Sequence, residues 1–341
     1  MTKILGIGNA LLDSEFVLTD LQLQATGLTK GNMTLASHSE QAELIAALNT
    51  QNIAPSKQAS GGSAANSIFA AASLGSDTAY ICRVGDDAAG GFYLSDLQAG
   101  GVSTLPTAMA TGETTGSCMV LVTPEGERTM QTFLGTSAEL DTSNIDFSHG
   151  VLASFGAQDW LYIEGYLAFN PAAQTAITQL KQFARDKGMK IAVSFADPAV
   201  VKFGREGIAH MLDGGVDAIF CNCEEAMIFT GQPCHKTASQ ALLGFAALAV
   251  VTNGGAGSLI AMADNVSRET KLIEVPTPVI DHVLDTNGAG DNFAGAFLYA
   301  LSQGHEPAMC GKLASAVAGA VISQFGARLA AKDYQRIYQN L

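Results

Sequence analysis

Asp285-Thr-Asn-Gly-Ala-Gly-Asp291 sets a carboxylate directly after a glycine-rich turn, and Phe293, Phe297, Leu298 and Leu301 then fall at helical spacing until Gly304. Ahead of the turn, Val283 and Leu284 read as the end of a buried strand. A helix N-terminus carries unpaired amides and the positive end of the helix dipole, so Gly288, Ala289 and Gly290 offer N–H groups to an anion. Asp291 beside that anion can take the proton of a hydroxyl that attacks a γ-phosphate, which is the chemistry of phosphoryl transfer. The plainer alternative is a capped helix on an ordinary turn. A dinucleotide-binding loop does not fit, because Phe293 stands where its third glycine belongs, and Gly6-Ile-Gly8-Asn-Ala-Leu11 fails at the same place. No Gly-x-x-x-x-Gly-Lys-Ser/Thr phosphate loop occurs.

Composition narrows the classes further. The chain has 341 residues, 48% hydrophobic and 15% charged, enough for a sizeable core, and no apolar run approaches the roughly 20 residues of a membrane span. Its start, Met1-Thr-Lys3 followed by Ile4-Leu-Gly-Ile-Gly8, is strand-like and lacks a signal-peptide pattern, so a cytoplasmic protein is expected. The net charge of −14 argues against nucleic-acid or anionic-membrane partners but not against a nucleotide held by glycine loops and magnesium. The six cysteines are scattered and read as free thiols. Cys221 and Cys223 share a face if both lie on a strand, but no second pair completes a zinc site, and the six histidines form no ligand pair.

The elements that must position these groups alternate. Strands are expected near 3–8, 78–83, 159–164, 189–195, 217–221, 248–253, 257–262 and 270–275, with helices such as 88–99, 171–187 and 223–230 between them. Ser60-Gly-Gly-Ser-Ala-Ala-Asn66 leads into an alanine-rich helix that ends near Gly75. This α/β rhythm predicts a mostly parallel sheet covered on both faces, with ligands at the carboxyl ends of its strands. Two stretches break the rhythm, 14–36 and 105–136, the second with a hairpin signal at Pro124-Glu-Gly-Glu127. The expected organisation is a core of 1–13, 37–104 and 137–341 under a small β lid of 14–36 and 105–136, joined by short hinges.

Three separated signatures resemble the ribokinase (PfkB-type) superfamily of carbohydrate and nucleoside kinases, and within it most the adenosine kinases. They are Gly61-Gly-Ser-Ala-Ala-Asn66, Asn222-Cys-Glu-Glu225 and Asp285-Thr-Asn-Gly-Ala-Gly-Asp291; Gly8-Asn9-Ala-Leu-Leu12-Asp13 and Thr115-Gly-Ser-Cys118 add to the likeness with adenosine kinases. The resemblance spans essentially the whole chain and implies a three-layer α/β/α core with a β lid, ATP and Mg²⁺ as co-substrate, and a small acceptor, a nucleoside or sugar. It implies Asp291 as general base with Gly288, Ala289, Gly290 and Arg128 around the moving phosphoryl group. Asn9, Asp13, Gly61, Gly62 and Asn66 would hold a ribose, since a carboxylate can accept from vicinal hydroxyls and a glycine pair lets a sugar approach the backbone. Met33, Leu35, Cys118, Phe133, Tyr166 and Leu167 would line a flat purine slot, although Met33 brings no hydrogen bond to a purine edge. Asn222, Glu225, Thr252, Gly254, Gly257 and Asn287 would serve the nucleotide, Glu225 holding magnesium through water. A monovalent cation such as potassium near Asp285 is implied only by the resemblance.

The expected activity is transfer of the γ-phosphate of ATP to the 5′-hydroxyl of a ribonucleoside, adenosine first. The alternatives are a ribokinase- or fructokinase-like sugar kinase and a catalytically silent nucleotide-binding regulator. Monomer and homodimer both stay open.

Overall fold

The computed structural model describes residues 2–263 and 269–341. Seven strands of the main sheet run parallel, in the order Ala246–Thr252, Val216–Asn222, Lys190–Ser194, Trp160–Ile163, Lys3–Ile7, Asp77–Ile81 and Val102–Thr104. Ser258–Ala263 and Thr270–Val275 extend it antiparallel at one edge. The short strand Val102–Thr104 gave no sequence signal of its own. Alternate residues of the strands enter two separate apolar layers. Ile4, Tyr80, Tyr162, Phe220 and Val250 pack beneath the helices Ser63–Leu74, Ala289–Ser302 and Pro307–Val321. Leu5, Ile7, Ile163, Val193 and Ile219 pack beneath Pro171–Lys187 and its neighbours on the other face. Burial on both faces is why these strands read as continuous hydrophobic runs rather than alternating ones.

Local chemistry sets the helix ends. The Asn170 side chain accepts from Ala172 N and Ala173 N ahead of Pro171, and Gly188, at φ 69°, ends that helix in the left-handed region. The helix Ser63–Leu74 also ends on a left-handed glycine, Gly75. Where it crosses Ala289–Ser302, Gly295 touches its backbone, and a Cβ there would overlap the Ser67 carbonyl oxygen. That close approach sets the distance between the N-terminal turns of the two helices.

The lid is a five-stranded sheet in the order Met33–Leu35, Arg128–Phe133, Gly116–Val122, Leu11–Val17 and Lys57–Gly61. The two stretches that broke the rhythm pair with each other in parallel, Leu11–Val17 with Gly116–Val122, and Met33–Leu35 with Arg128–Phe133. The lid also takes in Lys57–Gly61, on the far side of the expected boundary at 37, because that strand pairs antiparallel with Leu11–Val17. The helix His38–Thr50 belongs with it, since Leu44 and Leu48 pack on Phe16, Met119 and Leu121 of the outer face. Residues 105–115 lie off this sheet, where Met109–Ala110 pairs with Val84–Gly85.

Two local expectations fail. No strand runs from 276 to 288, and Val283 and Leu284 are exposed. The chain there crosses under the lid hairpin, where Gly126 packs against the Leu284 carbonyl. Cys221 and Cys223 do not share a strand face, because the strand ends at Asn222 and Cys223 opens the next helix.

Candidate active site

Gly288 sits in the left-handed region at φ 71° and opens the helix Ala289–Ser302, so Asp291 falls in the first turn. A Cβ at Gly288 would overlap the carbonyl oxygen of Ala327. Asn292 locks this turn by donating to Gly288 O and Ala327 O, 2.7 Å each. Of the three amides expected to face an anion, Ala289 N instead turns back to Thr286 O at 3.3 Å.

The Asp291 carboxylate is held from the neighbouring helix: Ser63 Oγ donates at 2.6 Å and Asn66 Nδ2 at 3.0 Å. Burial raises its carboxyl above the ordinary range, while these two hydrogen bonds and the Arg328 charge oppose the rise. Asn66 is itself oriented by Arg328, whose Nε donates to Asn66 Oδ1 at 2.8 Å. Ser63 and Arg328 were not among the residues expected at the site. Arg328 lies in a segment without periodicity, where no local pattern singles it out.

Asp13 occupies the lid strand Leu11–Val17 opposite Cys118 and Ala59. Burial pushes its carboxyl up to about 7, with Arg328 and Arg128 pulling it back. Gly61 leaves the space that this carboxylate fills, and Gly62, at φ 99°, lies where a side chain would strike the Asn9 carbonyl. A small cavity of about 30 Å³ runs between Asp13, Asn66, Arg128, Asn287 and Arg328. The arrangement therefore offers a hydrogen-bonded carboxylate at a helix N-terminus and a second carboxylate that lines the cavity.

Register decides which of the other expected residues reach this face. Leu35, Thr132, Cys118, Asp13 and Ala59 form one cross-strand row and so project to one side. Met33 shares that side through Met130 and Val120, but Met33 and Leu35 stand on the outermost strand, 44% and 66% exposed. Phe133 projects to the opposite side, where its ring lies 5.4 Å from His38. Burial above all, then the charges of Asp197, Asp291, Glu164 and Glu225, raises the Tyr166 hydroxyl. Leu167 is buried in the core cluster instead. Asn9 spends its side chain on structure: Nδ2 donates to Glu164 Oε1 at 2.9 Å and Oδ1 accepts from Ser137 Oγ at 3.1 Å. Glu164, absent from the expectations, also accepts from Ala64 N at 2.8 Å and so caps the helix that carries Ser63 and Asn66.

Asn222 and Thr252 end adjacent parallel strands side by side. Asn222 caps the following helix through a reciprocal pair with Glu225, accepting from Glu225 N at 2.9 Å while its own N donates to Glu225 Oε2 at 3.0 Å. Burial pushes the Glu225 carboxyl up to about 7. Gly254 and Gly257 bend the loop after Thr252 at φ 51° and 93°, and nothing lies within 4 Å of a Cβ built on Gly254, which leaves the loop open to a ligand. Among the described residues, no three His, Cys, Asp or Glu side chains group closely enough to cage a metal. Glu225, a single buried carboxylate, would suit a magnesium ion whose other ligands are phosphate and water.

Asp285 does not present a free carboxylate to a monovalent cation. It is 1% exposed; Oδ1 accepts from Asn287 N at 2.9 Å and Oδ2 from Gly326 N at 2.7 Å, and Arg128 of the lid forms an ion pair with it. Arg128 also approaches Glu15 at 3.5 Å. The lid arginine is thus tied to the core turn rather than left in solvent.

The profile of the pfkB family carbohydrate kinases matches residues 32–333. The structure of an adenosine kinase from Sinorhizobium meliloti is 32% identical, with a TM-score of 0.85 and 99% of each chain covered. That of a probable sugar kinase from Rhizobium etli CFN 42 is 31% identical at TM-score 0.86, covering 100% of this chain and 99% of the other. A mouse (Mus musculus) ribokinase is 28% identical over 253 residues, 71% of each chain. With its whole fold and its signature turns accounted for, the chain belongs to the pfkB family of carbohydrate kinases, phosphotransferases with an alcohol group as acceptor.

Proposed function

We propose that the protein transfers the γ-phosphate of MgATP to the primary 5′-hydroxyl of a ribose-bearing acceptor, with adenosine as the leading candidate. The observation that carries this reading is the Asp291 carboxylate, fixed by Ser63 and Asn66 at a helix N-terminus, with Asn66 and Asp13 lining one cavity. In this reading Asp13 accepts from the ribose diol and Asp291 takes the proton of the 5′-hydroxyl. The amides of Gly288 and Gly290, with the helix dipole, favour charge on the phosphoryl group in flight. MgATP lies along the carboxyl ends of the strands between Asn222, Glu225 and the Thr252–Gly257 loop, its magnesium neutralising phosphate charge. Arg128 closes the lid, excluding water that would otherwise hydrolyse ATP. The likeness to an adenosine kinase over the full chain supports a nucleoside acceptor, and the likeness to a probable sugar kinase supports a sugar acceptor equally.

One observation favours a second reading, a free-sugar kinase. Met33 and Leu35 stand exposed and Phe133 faces away, so few apolar side chains close over a purine. ATP consumption against adenosine, other nucleosides, ribose and fructose decides between them. Adenosine-dependent turnover abolished by Asp291→Asn supports the first reading. Turnover on free sugars alone selects the second, and undiminished turnover in Asp291→Asn removes Asp291 as the base.

A further inference from the structure

Arg328 is 7% exposed, yet its guanidinium is incompletely used. Nε donates to Asn66 Oδ1 at 2.8 Å and Nη1 to Ser60 Oγ at 2.7 Å, with Asp96 Oδ2 a further 3.4 Å from Nη1. The face of the guanidinium rests over the Phe69 ring, 4.4 Å from its centroid. The remaining nitrogen, Nη2, is buried and has no hydrogen-bond partner. A buried charged donor left unpaired is costly, and such groups are rare in folded proteins. Arg328, Ser60, Asn66 and Asp13 all line the same cavity, so the side chain with the unused donor and the Asp13 carboxylate share one lining.

We infer that Arg328 binds the acceptor substrate, its Nη2 donating to an oxygen of the secondary hydroxyl pair whose protons Asp13 accepts. The inference rests on the polyol-acceptor reading above and deepens it. A hydroxyl is both donor and acceptor. A carboxylate alone satisfies only its proton, whereas a carboxylate facing a guanidinium satisfies both, and only where two polar groups meet. The site therefore selects a vicinal diol over a deoxy analogue, because removing one hydroxyl leaves Nη2 or Asp13 buried without a partner. The planar fork explains why arginine suits the position: three nitrogens serve three directions at once, Asn66, Ser60 and the cavity. Through Asn66, the same side chain also holds the amide that orients Asp291, so acceptor binding and alignment of that carboxylate share one group.

The test is a cycle of binding constants measured calorimetrically for adenosine, 2′-deoxyadenosine and 3′-deoxyadenosine, and for ribose and 2-deoxyribose, with wild-type protein and Arg328→Met. Wild-type protein should lose about tenfold or more in affinity when the contacted hydroxyl is removed. Arg328→Met should bind the parent compound about tenfold more weakly and be nearly indifferent to that same deletion. Should Arg328→Met fail to fold, Arg328→Lys, which keeps the charge and loses the fork, is read in the same way. Equal deoxy penalties in wild type and variant at every position overturn the inference, as does a wild-type protein that binds none of these compounds. Binding with the expected cycle but no ADP release in the presence of MgATP counts against the kinase reading alone.

Discussion

Gly295 meets Ser67 across the contact between two helices so closely that a Cβ at 295 would overlap the Ser67 carbonyl oxygen. Asp291 and Ser63 stand one turn nearer the N-terminus of their respective helices, on the same faces, so this contact sets the reach of the 2.6 Å hydrogen bond between them. Gly295→Ala should push the helices apart, lowering stability by about 1–3 kcal/mol as an overpacked core does. Turnover should fall while the KM for ATP stays near its wild-type value. Urea unfolding and steady-state kinetics on the same preparation check both, and an unchanged kcat would show that the helices separate without disturbing Asp291.

Arg128 ties the lid to the core through its ion pair with buried Asp285. Asp285→Asn leaves that guanidinium with Glu15 at 3.5 Å as its remaining carboxylate partner. Breaking one side of a buried pair costs about 3 kcal/mol or more. Hydrogen exchange should speed up in the Gly116–Val122 and Arg128–Phe133 strands before it does in the main sheet, and exchange unchanged in those strands would mean that the ion pair does not hold the lid.

Asp13 and Asp291 both have carboxyls raised by burial, Asp13 to about 7. Both must be ionised to accept protons from an acceptor's hydroxyls, so kcat/KM for the acceptor should fall as pH drops below about 7. The two carboxylates influence each other, and the limb belongs to the pair rather than to either residue. The groups that hold Asp291 down are Ser63, Asn66 and Arg328. Ser63→Ala removes one of them, so the acid limb of kcat should move to higher pH. A limb that stays put or moves down argues against Asp291 as its source.

Glu164 is buried, and its carboxyl is pushed up to about 7 although Asn9 and Ala64 donate to it. A carboxyl raised in the folded state holds its proton longer there than in the unfolded chain. Its contribution to stability is therefore complete below the unfolded value near 4.3 and is lost as pH rises through about 7. Urea unfolding of the unliganded protein across this window should show a shallower decline for Glu164→Gln than for wild type. Parallel curves would place the Glu164 titration elsewhere.

Several features were legible in the residues alone because their causes are local. The glycine turn before Asp291 delimits the helix that follows it, and apolar runs in Lys3–Ile7 or Ala246–Thr252 mark strands covered on both sides. Asp291 after its glycine turn, and Asn222 three residues before Glu225, are helix-terminus patterns that need no partner from elsewhere. Three signatures in order were enough to place the chain among the pfkB kinases. What the residues could not show is anything set by register or by meetings across the chain. Phe133 faces His38 rather than Asp13 because strand side chains alternate, so the pairing of Arg128–Phe133 with Gly116–Val122 assigns the face. Ser63 and Asp291 are 228 positions apart, and Arg328 and Asn66 are 262 apart. The segment that brings Gly326 to Asp285 and Arg328 to Asn66 has no period and no regular element. Its place is decided by buried hydrogen bonds, which exist only once the two helices and the lid have closed around them.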